Sequence, residues 1–196
     1  MKIAIVGSQC VGKSTFIKDI LAKYKQFSIS NYSYRDAIKE ENIEENINRQ
    51  TTLRSQKIIF AALADEVRLA KDNIILDRCV IDAVAYAIWP TLHDQENTDI
   101  TEADITLFKE AADAVMNLYD LIVYIPVDES IKLEDDNFRD ADPEYRLQMA
   151  KIFEDLLILD IEEPAFDKYG YKVVSISGDR EKRLHDFSEL IKHKGM

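Results

Sequence analysis

A chain of 196 residues that is 46% apolar and 32% charged has the balance of one folded domain, and it excludes a disordered tail, a collagen-like repeat or a linked pair of domains. Its 37 acidic and 25 basic side chains leave a net charge of −12, which disfavours broad contact with nucleic acid or anionic lipid, so an anionic ligand has to be held locally. Two cysteines and three histidines exclude a disulfide framework and a Cys/His metal site, and no apolar run approaches the ~20 residues of a membrane span.

In chain order, the apolar run Ile3 to Val6 predicts a strand buried on both faces, and it leads off directly, without an export leader. The expected home is a reducing cytoplasm. Phe16, Ile17, Ile20 and Leu21 are spaced as one face of a helix over residues 13–24. Alternation over 28–34 predicts a short second strand, and the 3–4 spacing of Ile59, Ala62, Leu63, Val67 and Ala70 predicts a long helix over about 46–71. A second apolar strand, 74–76, delivers Asp77 and Arg78, and a helix from Val80 is expected to stop at Pro90. After a polar loop come a helix over 102–118 and a strand over 121–125. Asp142 and Pro143 then read as the cap and first residue of a helix to about 159, and a strand over 171–176 and a helix over 179–192 close the chain. Strands alternating with helices predict a single three-layer α/β domain over 1–196, with a parallel sheet and ligands at the carboxyl ends of its strands.

The turn after the first strand, Gly7-Ser-Gln9-Cys10-Val11-Gly12-Lys13-Ser14, matches GxxxxGKS in the strand-to-helix context that this motif requires. Two of the chain's five glycines fall in these eight residues, as expected where backbone wraps phosphate without a Cβ in the way. The amides of this segment, through Thr15, are expected to cradle the phosphates of ATP, GTP or a dNTP. Lys13 would bridge the β- and γ-phosphates and the Ser14 hydroxyl would ligate Mg²⁺. Asp77 can hold Mg²⁺ through water or accept a proton from an attacking hydroxyl, and Arg78 can grip an acceptor. Arg139 and Arg146, in and just after the charged run, are expected to form a lid over about 133–146 that swings toward the transferring phosphoryl group.

These residues resemble the small P-loop nucleoside and nucleotide kinases, the thymidylate kinase-like and ribosylnicotinamide kinase-like proteins. The likeness rests on Gly7 to Thr15, Asp77-Arg78 with Asp82-Ala-Val-Ala-Tyr86, Tyr124-Ile-Pro126, and Arg139 through Arg146. It implies a five-stranded parallel sheet in the order 2-3-1-4-5, an NTP donor, Mg²⁺, Asp77 and Arg78 beside the acceptor, and Gly178 bordering the donor base. The chain departs from the family pattern after Tyr34, where no acidic base-reading motif stands.

On the acceptor side, about 28–72, Arg35, Arg49 and Arg54 are candidates for an anionic group, and Gln50 and Gln56 for a base edge. Tyr32, Tyr34, Phe60, Tyr86 and Trp89 are candidates to stack on a ring, with core packing the competing use of each. Cys10 and Cys79 are expected to be two packed thiols rather than a redox pair. The expected partners are a nucleotide donor and a small nucleoside or nucleotide acceptor, with no membrane, and with the monomer and the homodimer both open. Two alternatives stand beside the kinase: transfer to a hydroxyl of DNA or RNA (a 5′ end or a hydroxymethylated base) through an Arg49, Arg54 and Lys57 strip, and a nucleotide-dependent ATPase or switch.

Overall fold

A computed structural model describes residues 1–128, 142–157 and 172–193. Five strands, β1 (Lys2–Val6), β2 (Ser28–Ile29), β3 (Ile74–Asp77), β4 (Leu121–Tyr124) and β5 (Val173–Ser175), form one parallel sheet in the order β2-β3-β1-β4-β5. The helices among the described residues are α1 (Lys13–Lys23), α2 (Tyr34–Glu40), α3 (Leu53–Leu69), α4 (Val80–His93), α5 (Glu102–Met116), α6 (Pro143–Leu157) and α7 (Arg180–His193), with a 3₁₀ turn at Asn48–Gln50. No helix among the described residues is long and apolar enough to cross a membrane.

The pleat of β1 shows why the sheet is covered on both sides. Ala4 and Val6 point into a core shared with α3 to α6, whereas Ile3 and Ile5 point to the opposite side, against Phe16, Ile17 and Ile20 of α1 and Phe187 and Ile191 of α7. A strand with both faces buried has to be apolar throughout, which is how β1, β3 and β4 read in the sequence.

Three elements differ from expectation. The second strand stops at Ile29 because Ser33 and Asp36 form a capping box, Ser33 Oγ accepting from the Arg35 amide at 3.2 Å and Asp36 Oδ2 accepting from the Ser33 amide at 2.8 Å. That cap starts α2, a helix that the expected strand over 28–34 does not anticipate. The long helix begins at Leu53 rather than near 46, because Asn48 has a left-handed φ of 56° and Thr52 caps α3 jointly with Ser55. Pro90 does not stop α4, which runs on to His93. Proline there deprives the Tyr86 carbonyl of its helical bond, but Asp94 N still donates to the Pro90 carbonyl at 2.9 Å and the helix is enclosed by α3, α5 and α6. The cap expected at Asp142 is present, its Oδ1 accepting from the Glu144 and Tyr145 amides at 2.8 and 3.1 Å. Arg139, the 133–141 part of the expected lid and the start of the last expected strand lie outside the described residues.

Candidate active site

The loop between β1 and α1 adopts backbone that few residues tolerate. Gly7 (φ 141°) and Gly12 (φ 87°) are both left-handed, and a Cβ on Gly7 would collide with the Ile125 carbonyl oxygen on β4's continuation. Gly12 caps α1 without a side-chain bond, which leaves the helix's first amides to an anion. Gln9, Cys10, Val11, Gly12, Lys13 and Ser14 line one side of a narrow cleft, and Asp77, Arg78 and Arg35 line the other. β3 brings Asp77 there because Ile5 and Asp77 are register partners on adjacent parallel strands. The buried Lys13 ammonium donates to the Gly7 and Ser8 carbonyls at 2.7 and 2.6 Å.

Among the described residues no group of three or more His, Cys, Asp or Glu side chains could hold a metal by itself. Ser14 and Asp77 nonetheless face one cleft. One hydroxyl and one carboxylate, completed by water and substrate phosphates, is the donor set that Mg²⁺ takes at phosphoryl-transfer sites.

A second cavity of about 190 Å³ adjoins the cleft, walled by Tyr34, Ile38, Ile47, Ile59, Ala83 and Tyr86, with Gln9, Arg35, Asn48, Gln56, Arg78 and Asp82 supplying polar groups. It is larger than an apolar cavity of ~150 Å³ that holds benzene, so a planar base fits. Gln9, Arg35 and Arg78 belong to both walls. Three polar atoms on its lining residues, Gln9 Nε2, Gln56 Oε1 and Arg78 Nε, are buried without a partner, which in a native fold calls for a ligand or an ordered water.

The orientation of Gln56 follows from a hydrogen-bond chain. Ser55 Oγ donates to the Thr52 carbonyl at 2.9 Å, so the proton in the 3.1 Å Thr51–Ser55 contact comes from Thr51, and Thr51 Oγ1 is left to accept from Gln56 Nε2. Gln56 therefore presents its carbonyl oxygen, an acceptor, to the cavity. Gln9 accepts from the Tyr86 hydroxyl at 3.3 Å and is left with its amide donor.

Arg78 has a left-handed φ of 95°, rare for a residue with a side chain. Its guanidinium lies 5.0 and 5.5 Å from the Tyr34 and Tyr86 ring centres and donates through Nη1 to Asp82 Oδ1 at 2.7 Å. Asp82 also caps α4 by accepting from the Cys79 amide at 3.0 Å. Burial pushes the Asp82 carboxyl up, while the charges of Arg78 and Lys13 pull it back. Arg35, on α2, donates from Nε to the Tyr34 hydroxyl at 3.1 Å.

The remaining candidates fall elsewhere. Gln50 and Arg54 do not line the cavity: Gln50 closes an exposed 3₁₀ turn and Arg54 pairs with Glu41 at 3.5 Å. Arg49 pairs with Asp142 at 2.7 Å and lies over Tyr145. Of the five aromatics, Tyr34 and Tyr86 wall the cavity, whereas Phe60 packs on Phe108, Trp89 on Tyr145, and Tyr32 donates to Glu40 at the surface. Arg146 is buried on α6, its Nη2 donating to the Asp128 carbonyl at 3.3 Å, and it lines neither cavity. Gly178 (φ 98°) borders a separate hollow of about 140 Å³ with Gly12, Thr15 and Phe16. Cys10 and Cys79 are buried outside any disulfide, and burial pushes the Cys79 thiol well up, so it stays protonated. Sequence alone does not mark Asp82 as a partner for Arg78, although its position three residues after the N-cap Cys79 is a capping signal.

A family model described as an AAA domain matches residues 2–183. No curated protein matches the chain significantly. Solved structures similar in fold include a thymidylate kinase from Candida albicans (18% identity, 98% of this chain and 91% of that one, TM-score 0.68). A deoxyadenosine kinase from M. mycoides with bound dATP is similar at 19% identity, over 98% and 100% of the two chains, with a TM-score of 0.67. The NadR protein in complex with NR is similar at 16% identity, over 98% of this chain but 50% of that one, with a TM-score of 0.65.

Proposed function

The chain belongs to the AAA domain family, and we propose that within that P-loop framework it is a kinase moving the γ-phosphoryl group of ATP or another NTP to a nucleoside or nucleotide acceptor. The observation that carries this reading is the common wall: Gln9, Arg35 and Arg78 belong both to the phosphate-loop cleft and to the apolar cavity. A nucleotide-hydrolysing switch needs the first site but not the second. The kinases of similar fold, one of them holding dATP, agree with this reading.

In the proposed reaction an acceptor oxygen attacks Pγ, the bond from Pγ to the β,γ-bridging oxygen breaks, and the nucleoside diphosphate leaves. Lys13 turns from the Gly7 and Ser8 carbonyls to the β- and γ-phosphates. Ser14 and, through water, Asp77 would hold Mg²⁺, which when bound would supply neutralising charge at the phosphate oxygens. Arg35 and Arg78 flank the junction, and only Arg78 is engaged by a carboxylate. Two guanidiniums there favour an acceptor that brings its own phosphate, a nucleoside monophosphate, over a neutral nucleoside. Its base would enter the cavity that Tyr34 and Tyr86 help to line, donating to Gln56 Oε1 and accepting from Gln9 Nε2.

The nucleic-acid alternative draws less support, because Arg49 and Arg54 of the strip it needs are paired with Asp142 and Glu41. The test is incubation with γ-labelled ATP or GTP and a panel of nucleosides, monophosphates and modified DNA. Label on a monophosphate, abolished by Lys13→Ala with the fold unchanged by circular dichroism, is expected. Free phosphate as the sole product with every acceptor would leave the ATPase reading in its place.

A further inference from the structure

Arg183, on α7, is a charged side chain with 4% of its surface exposed. Its Nε donates to the Gly178 carbonyl and its Nη1 to the Val11 carbonyl, both at 2.7 Å, while the buried Nη2 has no hydrogen-bond partner among the described residues. Among the described residues no carboxylate forms an ion pair with it, and Asp128 and Asp179 act on it only through space. Those two charges offset burial only in part: burial is the larger effect and pulls the pKa down, and a guanidinium removed from water without full compensation is costly. Two backbone carbonyls satisfy part of its hydrogen-bonding capacity and none of its charge.

Its place explains what could supply the missing charge. Val11 and Gly12 are part of the phosphate loop, and a Cβ added to Gly12 would lie 3.2 Å from Arg183 Nη1, so the guanidinium is packed against that loop. Its other anchor, Gly178, follows β5 and borders the 140 Å³ hollow that Thr15 and Phe16 of α1 also line. One planar fork thus ties the phosphate loop to a loop near the other end of the chain, a geometry that a lysine ammonium does not reproduce.

We propose that Arg183 is a positioning residue for the donor nucleotide, holding the phosphate loop and the β5–α7 loop at the spacing that seats polyphosphate and base together, with its charge compensated by the donor's polyphosphate. The proposal rests on the kinase reading above and adds a donor-side residue that does not touch the acceptor. A strut of purely structural use gains nothing from a buried charge that Asp128 and Asp179 offset only in part, because a neutral amide donor would bridge a carbonyl without that cost. A cation behind the phosphate loop raises affinity for the anion in front of it.

The experiment compares wild type with Arg183→Gln and Arg183→Lys, using inorganic tripolyphosphate and Mg-ATP as probes. Arg183→Gln should weaken tripolyphosphate binding about tenfold and raise the KM for ATP by a similar factor, with the acceptor KM unchanged. Arg183→Lys, which keeps the charge and loses the fork, should recover tripolyphosphate binding while the KM for ATP stays raised. Tripolyphosphate and ATP bound equally by Arg183→Gln and wild type, or donor and acceptor KM rising together, would overturn the proposal while leaving the kinase reading intact. If both variants fail to fold, the Nε–H signal of Arg183 in wild type decides by NMR. It should shift on adding tripolyphosphate and not on adding a nucleoside monophosphate, and an unmoved signal overturns the proposal. Wild type that binds no magnesium-nucleotide complex would overturn the kinase reading and this proposal together.

Discussion

Arg78 shows how one side chain is held in a fixed orientation in the free protein, as the proposed acceptor contact requires. Its strained backbone, two aromatic faces and the Asp82 carboxylate hold the guanidinium in place, while Nε stays unpartnered at the junction of the two sites. Orientation settled in the free protein does not have to be paid for in entropy when substrate binds. Asp82→Asn keeps an oxygen for the Cys79 amide and removes the charge that orients Arg78. It is expected to raise the acceptor KM about tenfold with the donor KM unchanged, read from steady-state kinetics with each substrate varied in turn. Asp82→Ala also strands a largely buried guanidinium and is expected to cost about 3 kcal/mol in denaturant unfolding. The Asp77-Arg78 dipeptide was legible in the sequence because it ends an apolar strand. The service of Asp82 to Arg78 was not, since one residue type at one spacing serves equally as a helix cap.

Elements decide where the cavity's polar atoms point. Thr52 and Ser55 cap α3 reciprocally, and the same two residues, through Thr51, fix the Gln56 amide. The cap that starts the helix is thereby also the device that orients the Gln56 amide at the cavity wall. Thr51→Val keeps shape and removes the oxygen that Gln56 Nε2 donates to, so the amide is free to turn over. Rates with acceptors of different base are expected to converge in this variant, and an unchanged order of preference would show that Gln56 is held some other way. Boundaries were where sequence and structure parted. The helix over 46–71 was read from apolar spacing, which continues through residues whose backbone departs from it, as Asn48 does with its left-handed φ. Pro90 was read as a stop, yet burial of α4 among three helices outweighs the one hydrogen bond it removes.

At the scale of the whole molecule, the second strand is an edge, and the groove between β2, α2 and α3 holds Glu66, whose carboxyl burial pushes up to about 7 against the lowering effect of a hydrogen bond with Ser30. Because the folded value lies above the unfolded one, the folded state binds more protons between about 4.5 and 7. Stability is therefore lost as pH rises through that window and is level above it. Glu66→Gln is expected to raise the melting temperature at pH 8 and to leave it nearly unchanged at pH 4; an equal shift at both would assign the effect to packing. The sequence by itself determined the phosphate loop, the α/β alternation and the strand ends at which chemistry collects, because these are local: a glycine pattern, an apolar run, a residue just past it. Only the tertiary structure decided that Gln9, Arg35 and Arg78 wall two cavities at once, that Gln56 rather than Gln50 lines the apolar one, and that Arg183 reaches the loop near the other end of the chain. Those facts depend on how strands are ordered and helices rotated, which is set by the packing of both sheet faces together and by no short stretch of sequence alone.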